Sequence, residues 1–424
     1  MTTCLVNLAY LDPAHIGGVG RIAQEVSRLL AECADTRTMR VTFVVGWRFA
    51  GAFAEWMGAS AVVVPYLTRY DFALTVRLLK PDVVVSSLFG LEPFQQVQAR
   101  HVAGMPDALV LDHPELFNAA DLAYRQQVYA NLSRAFRVVT LSEHARGRLL
   151  HHTALKPEQV VVAALGADPR TQTTSAALTD LPSRYLLYPA NYWPHKRHDL
   201  LLRIMNRVWE QQPDLHLILT GGRSEADQQT LRELIARNGC PPERIHDLGY
   251  VTDAQLTALY REAEAVLFTS QYEGFGMPLL EAMRQGCPVI CAPVASMPEI
   301  VGEAGIYVSG EDIDAWANAV LKTLPEQRER LVVLGVQQAA KYTWANTRAR
   351  WHSILAEAGV DCAEGTPNAQ VAAIAARNQT LLERMSKIAS GIGRNRLRQI
   401  LWMPLLLALQ ARLLWQARTY SRTR

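Results

Sequence analysis

Short, continuously apolar runs alternate along the chain with longer stretches whose apolar positions recur at helical spacing. In the first half the runs are Cys4 to Ala9, Val41 to Val45, Ala61 to Val64, Asp82 to Ser86, Val138 to Leu141 and Val160 to Ala164. In the second half they are Tyr185 to Tyr188, Leu215 to Thr220, Arg244 to Leu248, Ala265 to Thr269, Val289 to Ala292 and Gly305 to Val308. Such runs read as strands buried on both faces. Helical segments are expected over Ile22 to Ala34, Tyr124 to Phe136, His198 to Gln211, Glu225 to Asn238, Asp253 to Glu264 and Leu279 to Gln285. This alternation predicts an α/β protein with two doubly wound, Rossmann-like domains, joined where the Thr- and Ala-rich stretch Asp168 to Asp180 breaks the pattern. In such sheets ligands sit beyond the carboxyl ends of strands, so the residues just after each run are where chemistry is sought.

A chain of 424 residues is too long for one small binding module, and 49% apolar with 20% charged residues is a globular composition. The formal charge of +3 is too small to argue for a nucleic-acid partner. Six scattered cysteines without zinc-ligand spacing read as buried free thiols of a reducing cytosol. Met1 to Tyr10 lacks a basic leader and cleavage site, so export is not expected, and no apolar window is long enough for a spanning helix. The last sixty residues differ in character. No Asp or Glu follows Glu383, while Arg394, Arg396, Arg398, Arg412, Arg418, Arg422 and Arg424 accumulate around the apolar run Ile400 to Leu409 and around Leu413, Leu414 and Trp415. That pattern suits an amphipathic helix lying in a membrane surface, the alternative being a helix packed on the protein's own core.

Two segments carry candidate chemistry. His15-Ile16-Gly17-Gly18-Val19-Gly20-Arg21 follows the first strand and opens a helix, where backbone N–H groups and the helix dipole favour an anion. Its glycine spacing misses the dinucleotide pattern, which argues against hydride transfer. Glu273-Gly274-Phe275-Gly276-Met277-Pro278-Leu279-Leu280-Glu281 also leads from a strand into a helix, with Pro278 in the tolerant first turn and free N–H groups over Phe275 to Met277. Glu273 in the loop and Glu281 on the helix are placed to hold sugar and ribose hydroxyls by charge-assisted hydrogen bonds. Asp312-Ile313-Asp314 reads as helix capping rather than as a metal site.

The Gly-Gly-x-Gly-Arg turn, together with Glu273 and Glu281 seven residues apart around Gly-Phe-Gly-Met-Pro, resembles the retaining glycosyltransferases of family 4. Leu248-Gly249-Tyr250-Val251 and Met297-Pro298-Glu299-Ile300-Val301 resemble further blocks of that family, and the likeness covers roughly residues 1 to 360. It implies a GT-B fold: an acceptor-side domain over residues 1–170, a nucleotide-sugar domain over 181–345, a helix over 346–364 crossing back to brace the first lobe, and the basic tail over 365–424 outside the likeness. By position it implies that Gly17 and Gly18 present backbone to the donor diphosphate, that Lys196 pairs with the diphosphate, and that Glu273 holds the transferred sugar. Glu281 would hold the ribose, Gly274, Phe275, Gly276 and Met277 would offer backbone, and Tyr250 and Val251 would flank the base. His113, read as standing at a strand end after Leu109 to Leu111, would face the sugar, and Arg146 of Ser142-Glu143-His144-Ala145-Arg146 is a further cleft candidate. The chain departs from the family at Asn191, where an Arg is usual five residues before the Lys, so His195 or Arg197 is expected to compensate.

The block Pro189-Ala190-Asn191-Tyr192-Trp193-Pro194-His195-Lys196 resembles bacterial mannosyltransferase-like enzymes of surface-polysaccharide assembly. The expected activity is therefore retaining, metal-independent and cofactor-free transfer of a hexose, most simply mannose from GDP-mannose, to a lipid-linked saccharide. It would take place on the cytoplasmic face of the membrane, with the leaving phosphate helping to deprotonate the acceptor. A UDP-sugar donor, a nucleotide-sugar epimerase or phosphorylase on the same fold, and a non-catalytic membrane-surface scaffold are the alternatives.

Overall fold

Thirteen strands carry the architecture of the computed structural model, which describes residues 2–8, 18–33, 39–49, 53, 62–66, 69–86, 99–167, 178, 181–360, 378, 381–385, 387–388 and 406–418. In the first lobe β1 (Thr2–Leu8), β2 (Met39–Gly46), β3 (Val62–Tyr66), β4 (Val83–Ser86), β5 (Arg100–Gly104), β6 (Arg137–Thr140) and β7 (Val160–Val162) form one sheet in the order β3-β2-β1-β4-β5-β6-β7. In the second lobe β8 (Tyr185–Pro189), β9 (His216–Thr220), β10 (Ile245–Asp247), β11 (Ala265–Phe268), β12 (Val289–Cys291) and β13 (Gly305–Tyr307) follow the order β10-β9-β8-β11-β12-β13. Pairing is parallel throughout the described residues, for example Cys4 with Val41 and with Val83, and Leu187 with Ile218 and Val266. Strands such as β2 and β8 are buried along their whole length, which is why they appear in the sequence as unbroken apolar runs. The strand order reverses beside β1 in one lobe and beside β8 in the other.

One strand was not legible in the apolar pattern. β5 starts with Arg100 and His101, yet it is central to its sheet, because Arg100 lies over the Phe136 ring at the exposed strand start and His101 is buried as a neutral imidazole. The run Leu109 to Leu111 is correspondingly not a strand. It forms one helical turn, Leu109–Asp112, begun by the Leu109 N–H donating to Asp107 Oδ1 at 2.9 Å. His113 therefore caps a helical turn instead of ending a strand.

The helix Trp344–Glu357 crosses from the second lobe to the first, capped by Thr343 accepting from the Asn346 N–H. Trp344, Thr347 and Trp351 pack against Ile22, Val26 and Leu29 of the helix Gly18–Cys33. Thr347 Oγ1 donates to the Ala164 carbonyl at 2.7 Å, and Arg137 pairs with Glu357 at 2.9 Å. Burying the large Trp351 side chain makes this seam a hydrophobic tie between lobes.

Residues 406–418 form a helix with one face packed on the protein. Leu406, Gln410, Leu413, Leu414 and Ala417 form a buried face joined to the first-lobe core, and Gln410 donates to the Pro65 carbonyl of edge strand β3 at 3.1 Å. The helix thus covers a sheet edge. Its other side leaves Leu407 and Trp415 exposed beside Arg412. Among the described residues no helix is long and apolar enough to cross a membrane. The expected linker, apart from residue 178, and most of the tail lie outside the described residues. Cys4, Cys240, Cys287 and Cys291 are buried free thiols, and burial pushes Cys4 and Cys291 up to about 12.

His198 ties the second core to pH. It opens the helix His198–Trp209, stacks on Tyr192 at 4.4 Å between ring centroids and meets the Tyr188 ring edge-on at 5.0 Å. Burial first, and the Lys196 charge second, lower its pKa to about 4. The unfolded chain takes up that proton near pH 6.5 and the folded chain only near 4, so stability falls as pH drops from about 6.5 toward 4. The thermal midpoint of the wild type is expected to fall between pH 7 and 5, and H198F, which keeps the stack without the titration, to flatten that slope. Identical slopes for the two proteins would show that His198 is not held neutral.

Candidate functional site

The loop after β8 is built to hold one lysine at the switch point. Pro194–Lys196 forms a single 3-10 turn ended by Arg197 in the left-handed region at φ 56°. The Lys196 carbonyl accepts from the Tyr188 hydroxyl and, at 3.2 Å, from Thr269 Oγ1, so β8 and the end of β11 fix the loop from both sides. The His195 carbonyl accepts from the Gln271 N–H at 2.8 Å. Lys196 Nζ then reaches Glu273 Oε1 at 2.6 Å, with both side chains nearly buried. After Glu273 the chain turns through Gly276, whose φ of 100° suits glycine, and enters the helix Met277–Arg284 with Pro278 in its first turn. The N-terminus of that helix and Lys196 thus face the same space with positive potential. Glu281, one turn on, accepts from the Tyr260 hydroxyl at 3.2 Å.

The first lobe closes the other side. The resulting cleft, of about 470 Å³, is lined from the first lobe by Asp107, Arg125 and an apolar wall including Leu109, Val110 and Phe117. From the second lobe it is lined by Asn191, Trp193, His195, Lys196, Tyr250, Val251 and the segment Tyr272 to Pro278. The lobes touch through that segment. The Tyr272 hydroxyl accepts from the Ala108 N–H at 3.2 Å, and the Gly274 carbonyl accepts from Ser142 Oγ at 2.8 Å. A Cβ at Gly274 would lie 2.8 Å from Asp107 Cβ, so glycine is what lets the lobes meet here. Below this contact Glu299 of the second lobe accepts from the Glu143 N–H at 2.9 Å and the His144 N–H at 3.1 Å, capping the first-lobe helix Glu143–His152 from across the cleft. Asp107 is half-buried at the cleft wall. Burial raises its pKa, the Leu109 N–H opposes that, and the charges of Glu273, Arg125 and Lys196 all reach it.

Comparison with known proteins gives this geometry a family. Residues 183–326 match the model of the glycosyl transferases group 1. The O-antigen chain mannosyltransferase B of Escherichia coli is 30% identical over 259 residues, covering 58% of this chain and 68% of that protein. The chain belongs to the group 1 glycosyl transferases. A D-inositol 3-phosphate glycosyltransferase of Corynebacterium glutamicum is 31% identical over 229 residues, 50% of this chain and 54% of that one, so the chain spans about half that relative's length. Among solved structures, Anabaena HepE in complex with UDP-glucose superposes with a TM-score of 0.65 at 15% identity over 84% of this chain and 100% of that one. A sucrose-phosphate synthase from Thermosynechococcus elongatus gives 0.64 at 17% identity over 84% and 99%. Both likenesses are of fold, and the fold is GT-B.

In this glycosyltransferase most of the residues singled out from sequence come together. Asn191, Lys196, Tyr250, Val251, Glu273, Gly274, Phe275, Gly276, Met277 and Glu281 all line the cleft. Gly18 begins the first helix after β1, whereas Gly17 lies outside the described residues. His113 does not line the cleft: its Nδ1 is 3.0 Å from Glu115 and its ring meets Tyr272 edge-on at 5.6 Å. Arg146 is turned to its own lobe, donating to the Val160 and Pro157 carbonyls at 3.1 and 3.2 Å. Neither residue expected to replace the missing Arg does so. Arg197 pairs with Asp199 at 3.1 Å and Glu311 at 2.7 Å, and burial, with Lys196 next, lowers His195 to about 4, so it is neutral near pH 7. Asn191 itself accepts from the Gly222 N–H at 2.8 Å. Asp312 caps its helix through the Ala315 N–H, as read from sequence, while Asp314 pairs with Arg207 at 2.7 Å.

Asp107, Arg125, Tyr272 and Trp193 line the cleft without having been anticipated. Asp107 follows β5 by three residues, so locating that strand would have exposed it. The Glu299 contact is the feature here most open to test. Replacing Glu299 by Ala is expected to leave both cores folded while loosening the lobes, seen as a larger radius of gyration in solution scattering of the ligand-free protein. An unchanged scattering profile would show that the contact does not hold the cleft together.

Proposed function

We propose that this glycosyltransferase transfers a hexose, mannose from GDP-mannose, with retention of configuration onto a lipid-linked saccharide of a surface polysaccharide. The observation that carries the reading is Lys196 and the N-terminus of helix Met277–Arg284 converging on one side of an interlobe cleft, with Glu273 and Glu281 beside them. Positive potential there stabilises a departing diphosphate while charge develops at the anomeric carbon, and the carboxylates accept hydrogen bonds from hydroxyls. On the retaining route the bond from the anomeric carbon to the phosphate oxygen breaks, the acceptor oxygen bonds to that carbon on the same face, and the acceptor proton passes to the leaving phosphate. The donor choice draws on the mannosyltransferase relatives, among them the serotype-specific mannosyltransferase WbdA of Escherichia coli, 25% identical over 230 residues, 51% of this chain and 28% of that protein. Asp312 and Asp314 serve as a cap and an ion pair, which supports metal-independent transfer. A UDP-sugar donor is the second reading, favoured by the UDP-glucose bound in the Anabaena relative of the same fold.

The exposed side of the 406–418 helix supports a membrane role alongside its packed side. Leu407 and Trp415 point away from the core with Arg412 between them, an apolar stripe with a cation that suits an anionic lipid surface. It supports the reading of catalysis at a membrane surface, which we take to be the cytoplasmic face, against a lipid-linked acceptor.

Thermal-shift titration against GDP-mannose, GDP and the common UDP-sugars tests the donor, because ligand binding to the native state raises the unfolding midpoint by mass action. Stabilisation by GDP-mannose above all others is expected, preference for a UDP-sugar would move the assignment to the second reading, and no shift with any nucleotide would overturn both. Replacing Glu281 by Ala is expected to weaken donor binding about tenfold or more, the size of a lost charge-assisted hydrogen bond. An equal dissociation constant would remove Glu281 from the ribose. L407E/W415E is expected to abolish co-sedimentation with anionic phosphatidylglycerol vesicles without lowering the thermal midpoint, and retained binding would dismiss the exposed stripe as the anchor.

A further inference from the structure

The first lobe sets one carboxyl group against the residue that follows Glu273. Asp107 stands three residues beyond the interior strand β5, at its carboxyl end, and lines the cleft. Hydrogen bonds fix the chain on both sides of it. Thr140 Oγ1 donates to the Pro106 carbonyl at 3.3 Å, the Tyr129 hydroxyl to the Asp107 carbonyl at 3.0 Å, and the Ala108 N–H to the Tyr272 hydroxyl at 3.2 Å. The Leu109 N–H donates to Asp107 Oδ1 at 2.9 Å, which sets the side chain itself. Asp107 Oδ2 accepts no hydrogen bond from the described residues. A half-buried carboxyl group pinned through one oxygen, with the other unengaged, is a preorganised acceptor of hydrogen bonds.

Its neighbours decide what it can hold. A Cβ at Gly274 would lie 3.0 Å from Asp107 Oδ2, so the carboxyl group lies alongside the segment Tyr272 to Gly274, and the charges of Glu273 and Lys196 both reach it. A carboxylate repels a diphosphate, and the positive potential that draws one stands on the second lobe, at Lys196 and the start of helix Met277–Arg284. A neutral hydroxyl is attracted instead. Under the proposed function Glu273 serves the transferred sugar, so the hydroxyl met by Asp107 on the first-lobe side belongs to the other sugar. The apolar wall beside it, with Leu109, Val110 and Phe117, suits the C–H face of a sugar ring.

We infer that Asp107 holds a hydroxyl of the acceptor sugar, other than the one that attacks, and so selects which acceptor rings the cleft takes. The inference rests on the glycosyltransferase reading of the cleft and deepens it. On the retaining route the attacking hydroxyl gives its proton to the leaving phosphate, so Asp107 takes up no proton. It accepts a hydrogen bond through Oδ2 and fixes the orientation of the ring. Because Tyr272 holds the Asp107 segment from the second lobe, one interlobe contact sets acceptor and donor sugars relative to each other.

The test uses the nucleotide sugar that stabilises the protein most. Octyl α-mannoside, octyl β-glucoside and octyl β-galactoside serve as acceptors, with the monodeoxy forms of whichever is used best. Release of nucleoside diphosphate is followed with each acceptor and, for the slower transfer to water, without one. D107N keeps an oxygen for the Leu109 N–H and replaces the other by an amide that donates. It is expected to raise KM for the acceptor about tenfold to a hundredfold relative to KM for the donor, the size of a lost charge-assisted hydrogen bond. One monodeoxy acceptor is expected to be penalised to a similar degree in wild type and to lose nothing further in D107N. An unchanged acceptor KM would overturn the inference. So would monodeoxy penalties that are the same in D107N as in wild type, or a loss of transfer to water as large as the loss with acceptor, which mark a structural role. Diphosphate release that no glycoside accelerates in wild type would overturn it too, because the cleft would then take no sugar ring as acceptor. Failure of wild type to release nucleoside diphosphate from any nucleotide sugar would instead strike the glycosyltransferase reading of the cleft. Circular dichroism identifies misfolding, and D107S, whose hydroxyl also accepts from the Leu109 N–H, carries the test if D107N does not fold.

Discussion

Everything at the cleft depends on three consecutive residues that belong to both lobes at once. Tyr272, Glu273 and Gly274 leave the end of a second-lobe strand. Tyr272 is reached by a first-lobe N–H, Gly274 by a first-lobe serine, and the Gly274 backbone fits against Asp107 with no space for a side chain. Between them Glu273 faces Lys196. The Glu273 carboxylate is therefore set by the docking of the lobes as much as by its own strand. A shift of an ångström at the interface moves a group whose value depends on position.

The Lys196–Glu273 pair has a definite electrostatic character in that setting. Two charges taken almost fully out of water lose much of their hydration, and their mutual attraction only partly repays it. Such a pair gives little net stability, but it keeps both groups aimed into the same small volume. Under the proposed function, an incoming diphosphate would offer Lys196 a second oxyanion and sugar hydroxyls would offer Glu273 new donors, so the ligand would exchange partners with the pair instead of desolvating bare charges. The nearby helix N-terminus adds positive potential at no further desolvation cost, because its N–H groups are fixed by the fold. The hydrophobic tie at Trp351 and the polar contact at Glu299 act at separate places on the lobe boundary, one far less directional than the other. Apolar contact is non-directional, so at the crossover helix orientation is set by the Thr347 and Arg137 contacts, and at the cleft by the Glu299 contact.

The strands that the sequence revealed are the ones buried on both faces, because parallel sheets covered by helices require unbroken apolar runs. Twelve of the thirteen fall on runs that the pattern marks, although β10 (Ile245–Asp247) and β13 (Gly305–Tyr307) are only half-buried. β5 does not, since Arg100 satisfies itself over Phe136 and His101 is buried neutral, and neither compensation can be read from residue order. The error then propagated: with β5 unseen, the apolar run at Leu109 took its place, His113 gained a strand end it does not have, and Asp107 went unnoticed. The second-lobe site was legible for the opposite reason. Its glycines, proline and two glutamates lie within nine consecutive residues, so local geometry fixes their relation, and the structure has only to fold the segment as written. Residues contributed by the first lobe, Asp107 and Arg125, are joined to the site solely through tertiary closure.

That asymmetry bears on how a glycosyltransferase of this fold divides its labour. The second lobe carries a compact segment whose spacing is dictated by one turn and one helix, and which therefore survives as a recognisable motif. The first lobe faces it with an apolar wall, one half-buried acid and one guanidinium, none constrained to a fixed spacing. Tyr272 couples the two, since its ring packs against His113 and His144 of the first lobe while its own backbone leads directly into Glu273. A change in the first lobe that moves those histidines presses on the residue next to Glu273. Features of the first lobe can thus reach the Glu273 carboxylate through van der Waals contact alone, without any fixed spacing in the sequence to announce them.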